Sequence, residues 1–104
     1  MVQAVENLSR ISGTVISRRR HHSLDGYDVV RLELERVEAV PGKANLLESQ
    51  QGVEIDVAVR RELLGGAGAG ALLRCRAKRT LDGAMCEPHP DRSDFAIQEA
   101  ESRN

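Results

Sequence analysis

A chain of 104 residues has room for one small core and not for two. With 40% hydrophobic and 30% charged residues it is built neither as a disordered tail nor as a membrane-spanning segment. A formal net charge of -1 gives no bulk attraction for polyanions, and with no Trp, one Tyr and one Phe the core must be aliphatic.

The opening MVQAVENLSRISG has no basic start followed by an apolar run, so no signal peptide is expected. Two cysteines in such a chain read as reduced thiols, and the expected location is cytoplasmic.

Alternation of apolar and polar residues then predicts strands in chain order. The first covers residues 11–17, with Ile11, Gly13 and Val15 on one face. It runs into SRRRHHSLDG, residues 17–26, read as a basic loop that ends in the turn dipeptide Asp25-Gly26. The second strand, residues 27–37, turns Val30, Leu32 and Leu34 inward and Arg31, Glu33 and Glu35 outward. Pro41-Gly42 opens a polar loop that closes at Gly52. A third strand spans residues 53–59, again with acids, Glu54 and Asp56, outward.

Residues 60–64, RRELL, read as one or two helical turns stopped by glycine. The GGAGAG that follows lacks the strand-before, helix-after context and the Lys-Ser or Lys-Thr of a nucleotide loop, and is expected to be a flexible connection. The fourth strand, residues 71–79, buries Leu73, Cys75 and Ala77 and exposes Arg74, Arg76 and Lys78. Asp82-Gly83 is a second hairpin turn into a short fifth strand at residues 84–87, which residues 95–97 continue after the Pro-rich CEPHP. QEAESRN is expected to be frayed.

Strand, hairpin, strand, loop, strand, short helix, strand, hairpin, strand resembles the order of the OB-fold: all-β, a five-stranded Greek-key barrel with a short helix between strands three and four. The resemblance covers residues 8–97, leaving an N-terminal extension at 1–7 and a tail at 98–104. Gly13 in strand one suits the sharp bend such a barrel needs, and the phrase Ser12-Gly13-Thr14-Val15 is similar to the opening of small bacterial single-stranded-DNA-binding and primosomal OB proteins. That family implies a homodimer or higher assembly. The acidic tail with a hydrophobic anchor is not matched by EAESRN, so recruitment of partners through a tail is not carried over.

In such a barrel the two basic runs feed the loops between strands one and two and between strands four and five, which OB-folds use to grip oligonucleotides. Arg18, Arg19, Arg20, Arg74, Arg76, Lys78 and Arg79 are the expected phosphate contacts, and Tyr27 the expected stacking residue. His21 and His22 would add charge below about pH 6.5. The expected function is non-enzymatic binding of single-stranded DNA or RNA through the two loops. An alternative from another class is an assembly module whose acidic strand face meets a protein partner. No catalytic constellation, cofactor motif or metal-ligand spacing is present, and Cys75 and Cys86, not opposite one another, are not expected to pair.

Overall fold

In the computed structural model, residues 6–100 are described; most of the expected extension (residues 1–5) and the end of the expected tail (residues 101–104) lie outside them. Six strands form: β1 (Ser9–Arg20), β2 (Tyr27–Ala39), β3 (Glu54–Arg60), β4 (Leu72–Thr80), β5 (Gly83–Cys86) and β6 (Phe95–Gln98). The helix α1 (Arg61–Leu64) stands between β3 and β4. Neighbours run β1-β2-β3-β5-β4, and β4 returns to pair with β1, closing a five-stranded OB-like barrel. Every pairing is antiparallel except β3 with β5. β6 extends the β4 edge beyond β5, as expected for residues 95–97.

Alternation explains the core. Ile11, Val15, Val30, Leu32, Leu34, Val57, Val59, Leu73 and Cys75 all point inward and are buried. Phe95 lies half-buried against this cluster, which is otherwise aliphatic. Each such side chain contributes about 1.5–3 kcal/mol on burial, so even a core without aromatic rings can hold a small barrel together.

Two glycines are dictated by close backbone approach. At Gly13 the β1–β2 register slips, and a Cβ there would stand 2.0 Å from the Glu33 carbonyl oxygen. The bulge bends β1 so that it can hold β2 on one side and β4 on the other. Gly83 begins β5 at φ 145°, with a Cβ position 2.2 Å from the Asp56 carbonyl oxygen. It lets β5 enter beside β3 at the one parallel junction.

The principal difference from expectation concerns β1. It continues three residues past Ser17, because Arg18, Arg19 and Arg20 pair with Val30, Val29 and Asp28 of β2. The loop is only residues 21–26. Charge had suggested a loop, but a strand at a barrel mouth accommodates charged side chains once its backbone ladder is filled. The second cluster stands where alternation put it: Arg74, Arg76, Lys78 and Arg79 are all β4 residues, and the following turn is Leu81-Asp82. The expected basic loop between strands one and two is therefore corrected to the end of a basic strand.

Candidate nucleic-acid interface

The first basic run opens with an arginine turned against the protein itself. The β1–β2 register puts Arg18 beside inward-facing Val30, and a second slip, at Ile16, precedes it. Its Nε donates to Asp28 Oδ2 at 2.7 Å, and its Nη1 donates to the carbonyls of Gly65 (2.8 Å) and Ala67 (2.6 Å). Arg61 Nε donates to the other oxygen of Asp28 at 2.9 Å. The side chains of Arg18 and Asp28 are 18% and 8% exposed, so this is a two-arginine clamp on a buried carboxylate. Burial pushes the Asp28 carboxyl up, but hydrogen bonds and charge from Arg18 and Arg61 outweigh it and hold it below its ordinary value.

The clamp gives the glycine-rich connection a fixed place. Ala67 is buried, Gly70 N donates to the Val15 carbonyl, and Val15 N donates to that of Ala71. Residues 65–70, expected to be a flexible link, are held with Ala71 to β1 by the Arg18 side chain and by a pair of backbone hydrogen bonds at Val15 that a sequence cannot display.

The rest of the run is more open. Arg19 donates from Nη2 to Asp56 Oδ2 at 3.3 Å while remaining 58% exposed. Asp56, which Arg31 also contacts, is likewise held low: burial raises it, and the two arginines more than reverse that. Arg20 is exposed and has no ion pair among the described residues. His21 Nδ1 accepts from the backbone N–H groups of Ser23 and Leu24, shaping the loop, and the His21 and His22 rings stack at 4.9 Å. Tyr27 is half-buried opposite Arg60, on the β2–β3 side of the barrel and not beside β4.

On β4 the alternation aims Arg74, Arg76 and Lys78 outward. Arg76 is neutralised by Glu87 through a fork of 2.7 and 2.8 Å contacts, with Asp94 at 3.7 Å, and its pKa is raised by that hydrogen-bonded carboxylate. Arg74 and Lys78 are exposed and form no ion pair among the described residues. Arg79 donates from Nη1 to the Leu46 carbonyl and is otherwise exposed.

A further cation joins them that sequence reasoning missed. Ser12 stands opposite Arg74 on one side and Arg36 on the other, so Arg36–Ser12–Arg74 forms one row across β2, β1 and β4. Arg36 also has no ion pair among the described residues. Glu35 is the extra residue of the β1–β2 bulge; it carries Arg36 to the outer face out of step with simple alternation, which hid it. Arg36, Arg74, Arg10 and Ser12 line a groove of about 430 Å³, whose carboxylates are Glu38 and Asp94, the latter paired with Arg10 at 3.2 Å.

The β2–β3 wall has the opposite character. Glu33, Glu35, Glu54 and Asp56 face out; among the described residues Arg31 and Arg19 pair with Asp56, and Arg31 also lies 4.0 Å from Glu54.

No protein-family model, curated protein or solved structure matches this chain. The likeness to the OB barrel therefore rests on strand order, on the parallel β3–β5 junction and on Gly13.

Cys75 and Cys86 are buried free thiols. Cys86 lies opposite Ala77 and Cys75 opposite Phe95, so the two are diagonal neighbours and not a cross-strand pair. Hydrogen bonding to Cys86, together with burial, pushes the Cys75 thiol well up, away from the reactive thiolate.

Proposed function

We propose that this protein binds single-stranded nucleic acid without catalysing a reaction, using the outer side of β4 with its β1 and β2 flank. The contacts are Arg36, Arg74, Lys78 and Arg79, with Arg20 at the far end of β1; Arg18 and Arg76 serve the fold instead. One observation carries the reading. Arg74 and Lys78 face outward along a single strand, Arg36 lies across from Ser12 beside them, and all three lack an ion pair among the described residues.

Arg74 and Lys78 are four residues apart on β4 and so stand about 13 Å from one another along the strand, a spacing that an extended phosphodiester can bridge. Guanidinium forks suit phosphate oxygens, and arginine gives up its hydration more readily than lysine. Binding of this kind is sequence-tolerant and salt-dependent: with one phosphate neutralised by each of Arg36, Arg74, Lys78 and Arg79, log K falls against log salt with a slope of about -3, and slightly more steeply if the strand also reaches Arg20.

The test is fluorescence anisotropy of labelled single-stranded DNA and RNA at low and moderate salt, for the native chain and for Arg74→Ala/Lys78→Ala. Salt-sensitive binding that the double variant weakens supports the proposal. No binding at low salt would end it and turn attention to the acidic wall. There Glu33 and Glu54 stand directly opposite one another, a like-charge pair that costs stability unless a basic protein partner relieves it.

A further inference from the structure

Single-strand binders ordinarily seat bases on aromatic rings, and this chain has almost none to offer. Resting on the function proposed above, we infer that the groove between the N-terminal segment and the β4–β5 hairpin seats one nucleobase of the bound strand, with the adjoining phosphate on Lys78 and Arg79. The groove measures about 640 Å³, within the range of small-molecule sites. Leu8, Met85 and Pro88 supply its apolar surface, and Lys78, Arg79 and Thr80 line it from β4.

The local fold builds this arrangement. Lys78 lies directly opposite Met85 in the hairpin, so cation and thioether share one outward row. The N-terminal segment is held in place as the other wall: Leu8 N donates to the Ala44 carbonyl, and Asn7 Oδ1 accepts from Arg79 N at 2.6 Å. The other charges of the groove cancel within the protein. Lys43 pairs with Glu6 at 2.9 Å, and Glu87 is taken by Arg76. Among the described residues, the cations of the groove without an ion pair are Lys78 and Arg79, beside an apolar face. A flat apolar ring carrying a nearby phosphate matches both. Methionine makes favourable sulfur contacts with aromatic rings, so Met85 can serve as the platform that Phe or Tyr supplies in other binders.

The experiment exploits the composition. The chain has two methionines, Met1 and Met85, so a spectrum of the protein with carbon-13 methionine methyl groups contains two signals, assigned by Met85→Leu. The probes are a short single-stranded oligonucleotide and a fully abasic phosphodiester of the same length, with anisotropy run in parallel. The Met85 methyl is expected to move upfield with the base-bearing strand and to stay in place with the abasic one. The abasic strand is expected to bind about fivefold more weakly, and Met85→Ser to abolish that difference while leaving abasic affinity unchanged. Equal binding of the two strands, or an unmoved Met85 signal at saturation, would overturn the base site and leave backbone binding standing. Failure of both strands to bind would overturn this inference together with the function it rests on.

Discussion

Two groups of arginine lie on this barrel and face opposite ways. At the mouth beside α1, Arg18 and Arg61 reach inward, to one buried carboxylate and to the carbonyls of the glycine-rich segment. On the outer side of β4, Arg74 and its neighbour Arg36 reach toward solvent across Ser12. The first group ties parts of the fold together, with three Arg18 hydrogen bonds and two from Arg61 going to protein acceptors. The second contributes little to folding and keeps its donors available. A guanidinium is thus tied into the fold or left open by the acids its register brings to it, inward Arg18 by Asp28 and outward Arg76 by Glu87, and not by the richness of the run in which it occurs.

The contrast is sharpest in stability. Asp28→Ala leaves two arginines facing a site without their anion, and should lower the unfolding free energy by about 3 kcal/mol, measured by urea denaturation. Arg18→Ala, which keeps Arg61 on Asp28 but strips the donors from Gly65 and Ala67, should cost about 2 kcal/mol. Arg74→Ala should stay within about 0.5 kcal/mol of the native chain. Equal losses for Arg18→Ala and Arg74→Ala would erase the distinction.

Acid denaturation sharpens it further. Burial alone would raise the Asp28 carboxyl, but its arginine partners bring it below the ordinary 3.8, so the folded state releases its proton more readily than the unfolded chain. The stabilisation is complete above that ordinary value and is lost as pH falls through the depressed folded one. Asp56 follows the same sign at a more exposed place. Asp28→Asn should therefore flatten the acid limb of the stability profile more than Asp56→Asn, as followed by circular dichroism between pH 5 and 2, a range set by the linkage of a depressed carboxylate. An equal effect would mean that burial of the clamp adds nothing. The smallest expected change concerns salt. Each of Arg36→Ala, Arg74→Ala and Lys78→Ala should make the salt dependence of nucleic-acid affinity shallower by about 0.7 of a unit of slope, and Arg18→Ala should not alter it.

Much of the barrel was legible in the residues, because alternation over 27–37 and 71–79 and the two Asp-Gly turns specify strands and their hairpin partners locally. The closing β1–β4 pairing followed only from the resemblance, since no residue advertises a non-local ladder. The arginines were legible as cations and illegible as to role. Arg18 and Arg74 occupy equally basic runs, and only the Ile16 slip and the presence of Asp28 ten residues on turn Arg18 inward. Arg36 was missed because Glu35 breaks the alternation at the bulge, and Gly13, visible in the sequence, was the one sign of that bulge.

The most direct measurement is a paired one: unfolding free energy and single-strand affinity, determined on the same preparations of the native chain, Arg18→Ala and Arg74→Ala/Lys78→Ala. A crossed pattern is expected, with Arg18→Ala less stable by about 2 kcal/mol yet binding normally under conditions where it is folded. The double variant should be fully stable and bind about tenfold more weakly, as the loss of two phosphate contacts implies. If Arg18→Ala loses binding while remaining folded, or if the double variant binds as the native chain does, the assignment of the two regions is wrong.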